Sequence, residues 1–110
     1  MPLVALWDLF MLDFLFNNKV KEALRKGAVI IDVRPAYQFD EGKIPDSINI
    51  PLDRIAINIK RIKSMNTPVV LCCAFGTDCA NAARMLKENG IKEVYNGGRW
   101  QSILKIVNRL

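Results

Sequence analysis

The chain has 110 residues, 51% hydrophobic and 25% charged, which is the profile of one globular domain and excludes a disordered or fibrous protein. Its net charge of +5 comes from basic residues scattered between Lys19 and Arg109, so a nucleic-acid partner is not expected, whereas a mild field that draws in small anions is. There is no histidine, which excludes Cys-His and Ser-His nucleophilic pairs and removes the commonest metal ligand.

The first stretch, "MPLVALWDLFMLDFLF", has 13 apolar residues in 16. No basic residue precedes the apolar run, Asp8 and Asp13 interrupt it, and it falls short of the roughly 20 residues that cross a bilayer. It reads as an apolar N-terminal extension over 1–13, packed on this domain or on a partner, and a homodimer through it is one use. No transmembrane segment is expected, and one domain spans 1–110.

"LDFLF" (12–16) suits a short strand. "NNKVKEALRKG" (17–27) reads as a helix capped by Asn17 or Asn18, with Val20, Ala23 and Leu24 on one face and Gly27 as its stop. "AVIIDV" (28–33) is a continuous apolar run with one acid, the mark of a strand buried on both faces. Residues 34–47, punctuated by Pro35, Gly42 and Pro45, read as a loop region with room for one helical turn, and "INI" (48–50) as a short strand. From Pro51 to Met65 the spacing of Leu52, Ile55, Ile59 and Ile62 predicts a helix. "PVVLC" (68–72) is a second buried strand, Cys79 to Asn89 a helix, and "EVYN" (93–96) the last strand. Gly97-Gly98 then turns into a closing helix with Trp100, Ile103, Leu104 and Val107 inward. Strands alternating with helices predict an α/β domain, a mostly parallel sheet between two helical layers.

All three cysteines, at 72, 73 and 79, lie in "VVLCCAFGTDCANAAR" (69–84). Their number forbids a fully paired disulfide framework and their spacing lacks the two C-x-x-C knuckles of structural zinc, so free thiols in a cytoplasmic protein are expected. Ligands of such sheets bind beyond the carboxyl ends of the strands. Cys73 falls just past a buried strand, and Gly76 is free to take positive φ. Successive N–H groups of this loop, with the helix dipole, can make a nest for a thiolate or a persulfide anion.

"AVIIDVRPAYQFDEGKIPDSINIPL" and "PVVLCCAFGTDCANAARMLKENGIKEVYNGG" resemble the two halves of the rhodanese signature: a strand ending in Asp-Val-Arg with a Gly-x-Ile turn, then the active-site cysteine, its loop and the "VYNGG" turn. The resemblance runs from about residue 14 to 104. It implies the rhodanese fold, a three-layer α/β/α sandwich around a five-stranded sheet. It also implies a sulfurtransferase in which Cys73 carries a sulfane sulfur as a persulfide, and no metal or organic cofactor. Ala74, Phe75, Gly76, Thr77, Asp78 and Cys79 become the substrate-binding cradle. The implied partners are a small or protein-borne sulfane-sulfur donor and a thiol or cyanide acceptor. Related phosphatases carry a loop one residue longer, and without a loop arginine to clamp a tetrahedral oxyanion that activity is not expected.

Many rhodaneses place arginine after the cysteine and near the loop's end, where this chain has Ala74 and Asp78. A carboxylate near the sulfur disfavours the thiolate, so thiosulfate should bind weakly and a neutral or protein-borne persulfide better. Lys43 is a candidate for some of the missing charge, and Phe75 for specificity. Cys72 should be a core residue pointing away from Cys73. Asp32 and Arg34 are expected to be structural, the acid orienting neighbours and the arginine anchoring the next segment. Two alternatives stay open: an interaction module without turnover, supported by Asp78, and a thiol redox protein that pairs Cys73 with Cys79.

Overall fold

A computed structural model describes residues 17–110. The strand expected over 12–16 and the apolar segment 1–13 lie outside the described residues. Helix α1 covers 17–25 and is already under way at Asn17, so neither Asn17 nor Asn18 caps it. It stops as its sequence demands. Gly27 takes φ +88°, and the N–H groups of Gly27 and Ala28 close onto Leu24 O and Ala23 O, each at 3.0 Å.

Strands β1 (Val29–Asp32), β2 (Ile48–Asn49), β3 (Val69–Cys73) and β4 (Val94–Arg99) form a parallel sheet in the order β2-β1-β3-β4. Every residue of β3 is buried, which explains why its sequence is continuously apolar. Alternate residues feed opposite cores. Ile31, Leu71 and Cys73 pack with Ile55, Ile62, Ala82 and Leu86 on one face, while Ile30, Val70 and Cys72 pack with Val20, Ala23, Ile44 and Ile103 on the other. The second face is covered by α1 and by α5 (Trp100–Asn108), the first by α3 (Ile59–Met65) and α4 (Thr77–Glu88). This is the expected three-layer α/β/α arrangement, with four strands among the described residues.

Several boundaries differ from expectation. The segment after Arg34 holds a real helix, α2 (Ala36–Glu41), which begins after Pro35. Pro51 to Met65 is not one helix: 3-10 turns at Leu52–Arg54 and Ala56–Asn58 precede α3. Its apolar face is nevertheless the predicted one, with Ile55 and Ile62 fully buried. The Asn58 side chain donates back to Arg54 O at 2.8 Å, a local bond that competes with regular helix. Cys73 is the last residue of β3 rather than the first beyond it, and α4 starts at Thr77, two residues earlier than expected.

The largest correction is at Gly97-Gly98, which does not end β4 but lies inside it. The register steps from Leu71 opposite Asn96 to Cys73 opposite Arg99, so β4 contains one extra residue, a β-bulge. Gly98 takes φ +73° there. A Cβ on Gly97 would lie 2.6 Å from Leu71 O and 2.8 Å from Ile103 Cδ1, so only glycine lets β4 approach β3 beneath α5.

Candidate active site

Cys73 ends the most buried strand, and the chain must reverse into α4 within three residues, Ala74 to Gly76. Gly76 makes that possible by taking φ +89°, which L side chains rarely adopt. In this conformation the Gly76 N–H donates to Cys73 Sγ at 2.9 Å. The sulfur therefore sits inside the turn, facing main-chain donors. Cys79, in the first turn of α4, is also buried beside it, and the Gly98 carbonyl of the bulge lies 3.7 Å from both sulfurs.

These groups lower the Cys73 pKa from an ordinary 9.0 to about 6. The largest cause is the hydrogen bond from the Cys79 thiol. Burial works against it, and the backbone N–H groups of Cys79, Gly76 and Phe75 add to the lowering. Cys79 shifts the opposite way, upward, because its proton is held by the Cys73 sulfur and because burial opposes its ionisation. At neutral pH the pair holds one thiolate, on Cys73, and one donor thiol, on Cys79. Cys72 is on the other face of the sheet, where burial and then the charge of Asp32 raise its pKa, so it stays protonated.

Asp32 and Arg34 form a buried ion pair, Arg34 Nη2 to Asp32 Oδ2 at 2.7 Å. Arg34 also donates from Nη2 to Gly42 O at 2.6 Å and from Nη1 to Gln38 O at 3.3 Å, satisfying the carbonyls at the end of α2. Its guanidinium lies 4.6 Å from the centre of the Trp100 ring. With each of its three nitrogens hydrogen-bonded and its charge paired with Asp32, it anchors the segment after β1.

A groove of about 660 Å³ opens beside the loop, its walls including Tyr37, Glu41, Ala74, Phe75, Arg99 and Trp100. Cys73 itself is only 1% exposed, so a reactant has to present a narrow, protruding atom to reach it. Phe75, by contrast, is 83% exposed. Thr77 and Asp78 are exposed on the first turn of α4, so solvent screens the Asp78 charge. Lys43 does not line the groove; its Nζ lies 5.0 Å from the centre of the Phe39 ring.

Sequence reasoning missed Asn96, Gly98 and Arg99. Asn96 braces the site, donating from Nδ2 to Gly76 O at 3.5 Å and accepting the Gly98 N–H at Oδ1, 2.9 Å away. Arg99 brings a cation to the groove from the position opposite Cys73. The signal is the unbroken "VYNGGR", masked because a glycine pair reads equally well as a turn.

The family model of the rhodanese-like domain matches residues 16–98. The chain belongs to the rhodanese-like domain family. Among curated relatives, the thiosulfate sulfurtransferase GlpE of Pseudomonas savastanoi pv. phaseolicola is 37% identical over 76 residues, 68% of this chain and 71% of GlpE. The adenylyltransferase and sulfurtransferase UBA4 of Debaryomyces hansenii is 33% identical over 87 residues, 72% of this chain but 19% of that protein. This rhodanese-like domain thus spans about a fifth of such a longer relative. Among solved structures, reduced Bacillus anthracis CoADR-RHD superposes with a TM-score of 0.65 at 28% identity, over 84% of this chain and 16% of that one. Among the described residues, no helix of the domain is long and apolar enough to cross a membrane.

Proposed function

We propose that this rhodanese-like domain is a sulfurtransferase that carries sulfane sulfur on Cys73, in a reducing, cytoplasmic setting suited to its free thiols. The observation that carries this reading is the 2.9 Å hydrogen bond from Gly76 N–H to Cys73 Sγ, the core of a cradle for a sulfur anion. The naming of relatives such as GlpE as sulfurtransferases supports the same reaction class.

In the first half-reaction the Cys73 thiolate attacks the outer sulfur of a donor persulfide, R–S–SH. The donor's S–S bond breaks, R–S⁻ leaves with the bonding pair, and Cys73 holds –S–SH, which ionises within the cradle. In the second, an acceptor thiolate attacks that terminal sulfur and regenerates the Cys73 thiolate. This is double displacement with a covalent intermediate. A persulfide donor suits the site better than thiosulfate, because no arginine stands in the loop that holds Cys73 Sγ.

Intact mass after incubation with a persulfide, polysulfide or thiosulfate tests this reading. It predicts a gain of about 32 Da, one covalently held sulfur, absent from Cys73→Ser. No gain with any donor rejects the reading.

The placement of Cys79 favours a second, redox reading of the same pair. Peroxide oxidises the Cys73 thiolate to a sulfenic acid, releasing hydroxide. Cys79 then attacks it, forming a disulfide and releasing water. A loss of two hydrogens on peroxide treatment, without sulfur loading, selects this reading over the first.

A further inference from the structure

Another cavity, of about 410 Å³, opens at the amino ends of β3 and β4, the opposite end of the sheet from Cys73. Three lysines line it, each from a different part of the chain. Lys26 follows α1, Lys63 stands in the last turn of α3, and Lys92 lies between α4 and β4. One carboxylate, that of Glu93, shares the lining. None of the three ammoniums meets a carboxylate within 4 Å or donates a hydrogen bond among the described residues. Lysines near helix C-termini often serve the end carbonyls. Here main-chain N–H groups take them: Leu24 O accepts from Gly27 at 3.0 Å, Lys63 O from Asn66 at 3.1 Å and Leu86 O from Ile91 at 3.1 Å. Lys63 lies against Gly90, its Nζ 3.4 Å from where a Cβ there would stand. On the same wall, Thr67 carries the one buried side-chain oxygen or nitrogen without a hydrogen-bond partner among the described residues. Leaving such a hydroxyl unmet is costly, and a ligand that accepts from it removes the cost.

We propose that this cavity binds a small organic phosphate monoester, at a site separate from Cys73. The lysines act as point charges on the phosphate oxygens, and the Thr67 hydroxyl turns to donate to one of them. The organic part lies on Pro68 and Ile91. Charge selects the class. Three lysines against one glutamate leave two positive charges, the match of a phosphate monoester dianion at neutral pH rather than of a single carboxylate. Like charges gathered round one cavity repel each other, and an anion between them relieves that repulsion. Size agrees, since the volume is in the range that holds a small organic ligand and exceeds what bare phosphate needs.

The test titrates phenyl phosphate into the full ¹⁵N-labelled chain at constant ionic strength, with no sulfur donor present, and follows amide shifts. Saturating shifts are expected at Thr67, Gly90, Ile91 and Lys92, with inorganic phosphate binding more weakly and phenol causing none. Lys63→Gln and Lys92→Gln should each weaken phenyl phosphate about three- to tenfold. Lys105→Gln, an exposed lysine on α5 outside the cavity, should change nothing. Thr67→Val should weaken binding by a similar factor while the urea midpoint holds or rises, because the hydroxyl has no partner to lose in the free chain. A lower midpoint with unchanged affinity would make Thr67 structural and overturn its part in the site. Shifts that do not saturate, that centre on Phe75 and Gly76 instead, or that Lys105→Gln weakens equally overturn the proposal, and inorganic phosphate binding as tightly as phenyl phosphate overturns the organic class. Because no sulfur moves in this experiment, its outcome is independent of the carrier reading.

Discussion

Cys73 and Cys79 place their sulfur atoms at the same distance, 3.7 Å, from one carbonyl oxygen, that of Gly98. A strand end and a helix start thereby bring two thiols to one acceptor, and the pair divides its protons unequally. Cys79 keeps its proton and donates it; Cys73 loses its own. Cys79→Ala removes the strongest influence holding Cys73 ionised, so its pKa should rise by about one unit. Iodoacetamide labelling of Cys73 at pH 6.5 should slow severalfold in that variant, and Cys79→Ser, which retains a donor, should recover most of the rate.

The main-chain contribution is separable through Gly76. An alanine there would meet no atom within 4 Å, so its effect is conformational, arising from φ +89°. Holding an L residue in that region costs about 1–2 kcal/mol. Relaxation of the turn should swing the amide away from Cys73. Gly76→Ala is expected to lose persulfide loading by intact mass while its urea midpoint falls only modestly.

At Asp32 the expected failure is structural. Asp32→Asn leaves Arg34, 5% exposed, as an uncompensated buried cation. Breaking such a pair from one side costs about 3–5 kcal/mol, which urea denaturation should register as a large loss of stability. A stability change within about 0.5 kcal/mol, the range of a surface substitution, contradicts the anchoring role.

Gly97→Ala tests the close approach of β4 to β3. The new Cβ must displace Leu71 O and the Ile103 side chain, both nearer than 3.0 Å, and such overpacking costs about 1–3 kcal/mol. The same substitution at Gly27, where a Cβ meets nothing within 4 Å, should cost only the strain of its positive φ.

The sheet and its helices were legible because their signals are local and strong. β1 and β3 read as buried strands because both faces are covered, and Gly27 ended α1 because the chain needs a left-handed residue there. The position of Cys73 at a strand's carboxyl end could be read the same way, to within one residue. The bulge could not. Two glycines look alike whether they turn a chain or let a strand bulge and pack closely, and the difference lies in Leu71 and Ile103, which come from elsewhere in the sequence. That one ambiguity concealed Arg99. The role of Cys79 was equally hidden, since spacing alone does not say whether a second thiol donates to the first, bonds to it or merely fills space.

The pH dependence of Cys73 alkylation tests the central claim, a Cys73 thiolate held by the Cys79 thiol together with the main-chain N–H groups of its loop, most directly. Thiolate is the reactive form, so the rate should climb through a single midpoint near pH 6 and be flat from about pH 7.5 upward, with Cys73→Ser unlabelled at that site. A midpoint near the ordinary thiol value of 9.0, with the rate still climbing at pH 8, contradicts it.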